Sequence, residues 1–145
     1  MKSRYRLTLL PMVIECACTL LLGCRPKEIQ PIDIYPEDMC AHCRMAVSDQ
    51  RFASEIISDK GEVFKFDDIG CLEEFFKMKP TTLMVAAVFY KDYATRTWVP
   101  AARATVVETR IATPMSSGKV AFADSSAAEN FRREHPRTLP GEERE

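Results

Sequence analysis

A surplus of charge of either sign is missing from this chain. Its 20 Lys and Arg against 21 Asp and Glu leave a net charge of −1 over 145 residues, which offers no electrostatic footprint for nucleic acid. A long unbroken apolar run is missing too. The stretch Leu7–Leu22 is mostly apolar, but Pro11 and Glu15 interrupt it, and it falls short of the ~20 residues that a membrane-spanning helix needs. Histidine is scarce, with only His42 and His135, and the single C-x-x-C at Cys40–Cys43 has no second C-x-x-C or H-x₃-H to complete a structural zinc knuckle. There is no phosphate-binding glycine loop and no Ser–His–Asp set, so the chain reads as a binding protein rather than an enzyme. What remains is 46 % hydrophobic and 28 % charged, an ordinary globular composition with length for one domain or two small ones. Against these absences, sulfur is concentrated. The stretch "MCAHCRM", Met39–Met45, holds two thiols, two thioethers and one of the two histidines.

The N-terminus reads as a targeting segment rather than as fold. Lys2, Arg4 and Arg6 form a basic n-region, the apolar run follows, and it ends in Leu21-Leu22-Gly23-Cys24. That ending resembles a bacterial lipobox, in which the final Cys is acylated and the chain is cut just before it. The expectation is a lipoprotein signal peptide over 1–23, with Cys24 as the lipidation site. A retained membrane anchor and an ordinary secretory signal are the alternatives. Cleavage removes Cys16 and Cys18, leaving Cys40, Cys43 and Cys71 as thiols outside the cytoplasm, where disulfides form. An odd count leaves at least one thiol outside any intramolecular pair.

Residues 24–38 carry three prolines and no periodicity, which reads as an extended tether. "FASEIIS" and "EVFKF" flank the turn signal "DKG" and predict a β-hairpin. Asp67 and Asp68 are candidate caps for a helix over "IGCLEEFFKM", with Ile69, Leu72, Phe75 and Phe76 at helical spacing. Pro80 stops it. In this frame Cys71 is a packing residue. The second half repeats the theme: "LMVAAVFY", the ends of "WVPAARATVVETR" and "KVAFA" are strand-like. Asp124, Ser125 or Ser126 then caps a short helix with Ala127, Ala128 and Phe131 inward. The fold class is therefore α+β: two ββα-like modules, 39–80 and 81–135, with small mixed or antiparallel sheets and a frayed tail over 136–145.

The C-x-x-C admits several chemistries. A zinc knuckle lacks its second half. A thioredoxin-like redox motif needs a βαβ frame, whereas here a proline-rich tether precedes the pair and a hairpin follows it. Haem attachment needs a His after the second Cys, and Arg44 stands there. A soft monovalent ion fits better, because thiolate and thioether together select Cu(I). Cys43 and Met45 share a face if the segment is extended; Met39 joins them only if it turns. The competing reading has both methionines packed in a core. A further candidate is Met115, in the polar turn-like "TPMSSG" where a loop ligand would sit.

Taken together these pieces resemble the NosL type of copper-binding accessory lipoprotein, associated with maturation of nitrous-oxide reductase. The resemblance runs from the lipobox through Cys43-Arg44-Met45, a C-x-M motif with Cys40 three before. It continues through "RFASEIISDKGEVFKFDDIGCL" to "TPMSSGKVAFADSSAAENF". It implies a pair of ββα-like modules, a fold shared distantly with the organomercurial lyase. It also implies a Cu(I) site with Cys43, Met45 and Met115 as ligands and Cys40 beside them. The ion would pass to a partner protein, an ABC-type maturation complex or nitrous-oxide reductase. Two departures stand out: many relatives have Gly where this chain has Arg44 and Ser116. An arginine next to Cys43 is expected to lower the thiol's pKa. The resulting expectation is a Cu(I) chaperone on the periplasmic side, held to the membrane by its N-terminal lipid. The rivals are a thiol–disulfide oxidoreductase and a scaffold lipoprotein in cuproprotein assembly.

Overall fold

Gly61 sets the first strand pairing. It takes a left-handed φ of 80°, open to glycine at no steric cost, and its N–H donates to the Ser58 carbonyl at 3.0 Å. The chain reverses there, so β1 (Ser54–Ser58) and β2 (Val63–Phe66) pair antiparallel. The fold is that of a computed structural model and is described for residues 28–137. The signal segment, Cys24 and the last eight residues lie outside that range.

Past β2 the chain enters α1 (Ile69–Met78), whose N-cap is Asp68, accepting from the Gly70 N–H. Ile69, Cys71 and Leu72 face inward, and the helix ends as Lys79 donates back to the Phe75 carbonyl ahead of Pro80. β3 (Val85–Lys91) and β4 (Trp98–Pro100) then return to the first sheet, giving a four-stranded antiparallel order β2-β1-β3-β4. β5 (Thr105–Glu108) and β6 (Lys119–Phe122) form a separate antiparallel pair, followed by α2 (Ser125–Glu134) with Asp124 as N-cap.

The α+β class therefore stands, and two hairpin-plus-helix units are present, β1-β2-α1 and β5-β6-α2. The halves are not separate bodies, because β3 pairs with β1 across the expected boundary at residue 80. Asp92 joins the two sheets: its carboxylate accepts from the Ala94, Thr95 and Ala123 N–H groups. One core gathers Cys40, Ile56, Phe66, Cys71 and Leu72; a second gathers Phe52, Val107, Val120, Phe122 and Ala128.

Two expectations change. The segment read as a tether is docked along its described second half. Ile34 is buried against Val47 and Ala53, the Ile32 N–H donates to Glu55, and Lys65 holds the Asp33 carbonyl and the Asp38 carboxylate. A single buried Ile among prolines leaves no periodic trace in the sequence. Met78, expected to pack at the helix end, is 66 % exposed. It falls on the outer face of α1.

Candidate metal centre

The sulfur-rich segment is a tight hairpin, not an extended strand. Met39 bridges Ala46 antiparallel, the Cys40 N–H donates to the Met45 carbonyl at 2.8 Å, and the Arg44 N–H returns to the Cys40 carbonyl at 3.1 Å. The reversal puts Arg44 at a left-handed φ of 65°. The Ala41 N–H then ties the loop to the Lys65 carbonyl on the outer edge of β2. This anchoring drives Cys40 fully into the first core and leaves Cys43 half-buried above it. Met39 and Met45 remain exposed, at 53 % and 47 %.

Two further residues meet those thiols from the junction of β2 and α1. Asp67, Cys71, Cys40 and Cys43 bring one ligand atom each to within 4.8 Å of one another. The Cys43 thiol donates to the Asp67 carboxylate at 3.4 Å, and all three thiols are free. Burial pushes the Cys43 thiol up, and the neighbouring Cys40 and Asp67 push it further, against the Met45 backbone N–H that favours its thiolate. Burial likewise pushes the Cys71 thiol far up, reinforced by its hydrogen bond to Asp67 and by Cys40. The expected lowering by Arg44 does not hold: that residue is exposed, and water screens its charge. Both shifts favour the protonated form of Cys43 and Cys71 in the free protein.

Asp68 links this cluster to the distant Met115 loop. Fully buried, it caps the Gly70 N–H at 2.6 Å and accepts from the Thr113 hydroxyl at 2.6 Å and the Met115 N–H at 3.0 Å. Burial alone would raise its pKa, but these hydrogen bonds, with one from Ser117, hold the carboxyl below the usual range. Gly70 permits the close approach, since a Cβ there would stand 2.7 Å from the Ser117 Cβ. Ser116 turns the loop at a left-handed φ of 58°. Between helix and loop lies a pocket of about 310 Å³, lined by His42, Gly70, Cys71, Met115, Ser117 and the acidic pair Glu73–Glu74, with Lys119 paired to Glu73 at its rim.

Of the residues singled out in the sequence, Cys40 and Cys43 fall in one cluster, and Met115 lies on the wall of the adjoining pocket. Met45 sits at the exposed base of the sulfur hairpin and is not among the residues that line that pocket. Sequence reasoning missed Asp67 and Cys71. In the sequence Asp67 reads, like Asp68, as a candidate cap, but one helix needs one N-cap and Asp68 fills it. The second unit carries the comparison: Phe66-Asp67-Asp68 is matched there by Phe122-Ala123-Asp124. The capping Asp recurs while the acid before it does not, a signal that Asp67 serves something else. Cys71 was hidden by its helical spacing, which is also that of a core residue.

Three sulfurs and a carboxylate beside a loop thioether make a soft-metal donor set. Thiolate and thioether suit Cu(I), whereas the lone oxygen is a poor ligand for it. The chain is thus an α+β protein with a sulfur-rich candidate metal centre at the junction of its two units. A sequence model of the NosL family matches residues 31–138, and the chain belongs to that family. Among solved structures, it is similar to the crystal structure of the copper chaperone NosL from Shewanella denitrificans. The likeness has a TM-score of 0.62 at 19 % identity and covers 80 % of this chain and 93 % of that one. At that identity the likeness establishes the fold. None of the curated proteins compared matches the chain.

Proposed function

We propose that this chain is a lipid-anchored, extracytoplasmic Cu(I) chaperone that hands its ion to a cuproenzyme maturation system, with nitrous-oxide reductase as the destination the family resemblance implies. The carrying observation is the meeting of the buried thiols with the Met115 loop, through Cys71 on the wall of one open pocket. Cys43, Met45 and Met115 are the proposed ligands, with Cys40 beside them and acylated Cys24 as the anchor. The chemistry suits a carrier. A thioether is neutral, needs no deprotonation and holds Cu(I) less firmly than a thiolate, so a partner's thiolate or imidazole displaces it first. The partner is an ABC-type maturation complex or the enzyme itself. No helix of the described residues is long and apolar enough to cross a membrane, and on this reading attachment falls to the lipid. Two or three acyl groups are expected, since one chain holds weakly. A thiol–disulfide oxidoreductase is less favoured: its attacking cysteine needs a lowered pKa, and Cys43 is pushed the other way.

Competition between the purified chain and a calibrated Cu(I) chelator tests the reading. One Cu(I) is expected to bind far more tightly than Zn(II), with affinity rising with pH because thiol protons must leave. Zinc winning at equal free concentration would overturn it. Cys24→Ala should release the protein from membranes on fractionation; unchanged membrane retention would refute the lipid anchor.

A further inference from the structure

Cys71 is the one residue that belongs both to the thiol cluster and to the pocket that Met115 lines. Its place is set by three independent features. It stands in the first turn of α1 and faces inward, toward Cys40 and Cys43. Asp68, which caps that turn, also holds the Met115 backbone. Gly70, immediately before it, is the residue whose missing side chain lets the Met115 loop close in.

The distances suit a shared ion. Two thiolates on one metal, each at roughly 2.3 Å as in zinc–thiolate sites, stand at most ~4.6 Å apart. The cluster atoms already lie within 4.8 Å of one another, so a few tenths of an ångström close the gap. A packing role alone leaves Asp67 unexplained. It is a buried carboxylate set among thiols, which are weak hydrogen-bond donors, where an apolar residue would fill the space without a desolvation cost. A carboxylate there makes sense beside a cation.

We propose that Cys71 is a sulfur ligand of the bound ion and closes the coordination shell between Cys43 on the hairpin and Met115 on the loop. This rests on the Cu(I) reading above and extends its ligand set. Each further ionised sulfur beside Asp67 adds negative charge to the core that a monovalent ion does not offset, which disfavours a third thiolate. The expected shell is therefore Cys43, Met45, Cys71 and Met115, with Cys40 as the supporting thiol.

The test compares Cys71→Ser and Cys71→Val with the unaltered chain in the same Cu(I) competition, with circular dichroism reporting the fold. Losing a supporting partner of a ligand costs about 10–100-fold in affinity, so both variants should lose roughly 100-fold or more. X-ray absorption should show one sulfur fewer around copper. A packing role makes the opposite forecast: the apolar Cys71→Val keeps affinity and sulfur count, and that result would overturn the proposal. A third measurement needs no variant. On adding one equivalent of Cu(I) to the isotope-labelled chain, the Cys71 ¹³Cβ resonance should shift as far as that of Cys43; an unmoved Cys71 resonance overturns the proposal even where both variants misfold. Failure of the unaltered chain to bind Cu(I) refutes the chaperone reading itself, and this inference with it. Normal binding without Cys71 refutes the inference alone.

Discussion

Replacing Asp68 by Ala removes one side chain from two structures at once. The Gly70 N–H loses its cap, which costs about 0.5–2 kcal/mol. The Thr113 hydroxyl and the Met115 N–H lose their acceptor while buried or half-buried, at about 1–3 kcal/mol for each unsatisfied group. Thr113 recovers part of this by turning to the Ser117 hydroxyl, 3.4 Å away. The net expectation is a loss of about 4 kcal/mol, a large share of the 5–15 kcal/mol typical of a domain. Asp68→Asn keeps an oxygen for the cap but turns an NH₂ toward the loop's own donors, and should cost about half as much. Urea unfolding followed by circular dichroism gives both values. The pH dependence carries its own sign. The folded carboxyl lies below its ordinary value, so its contribution is fully present above the unfolded pKa of about 3.9 and is lost as pH falls through the lower folded value. In the Ala variant that acid-side loss should shrink. Copper should report the same link, with weaker Cu(I) binding although every sulfur remains. A stability loss under ~1 kcal/mol for Asp68→Ala would refute the reasoning, because it would mean that the loop does not hang on this carboxylate.

Arg44→Gly and Ser116→Gly each place glycine at a left-handed φ. Relief of about 1–2 kcal/mol, less about 0.4–1 kcal/mol for the freer unfolded chain, should raise stability by roughly 0.5–1 kcal/mol in thermal melts; a lowered melting temperature would contradict this. Glu55 is fully buried, and burial raises its carboxyl despite the Ile32 N–H and the nearby Lys65 and Lys91. Stability should therefore fall as pH rises from the unfolded value of about 4.3 through the raised folded one; Glu55→Gln should flatten that slope in unfolding curves taken across pH, and an unaltered slope would place the effect elsewhere. Met78→Ala, on an exposed face of α1, should change stability by under about 0.5 kcal/mol and leave Cu(I) affinity unchanged. A larger drop in either would show that this thioether is engaged.

The sequence by itself determined the local elements and the sulfur. The "DKG" turn, the alternation about it, the Asp caps at 68 and 124 and the stop at Pro80 are short-range physics, each settled within a few residues, and all appear in the fold. What only the tertiary structure decided is which groups meet. Nothing local distinguishes Cys71 from any other inward residue of an amphipathic helix, or Asp67 from the cap beside it. Their convergence with Cys40 and Cys43 appears once β2 ends beneath the Met39–Ala46 hairpin and α1 starts beside it. Likewise Met115 comes to the pocket because Asp68 binds its backbone across 47 residues of chain and Gly70 leaves room for the loop. Spacing along a chain encodes the period of a helix or strand, but convergence of distant side chains is a product of packing, which no short window contains.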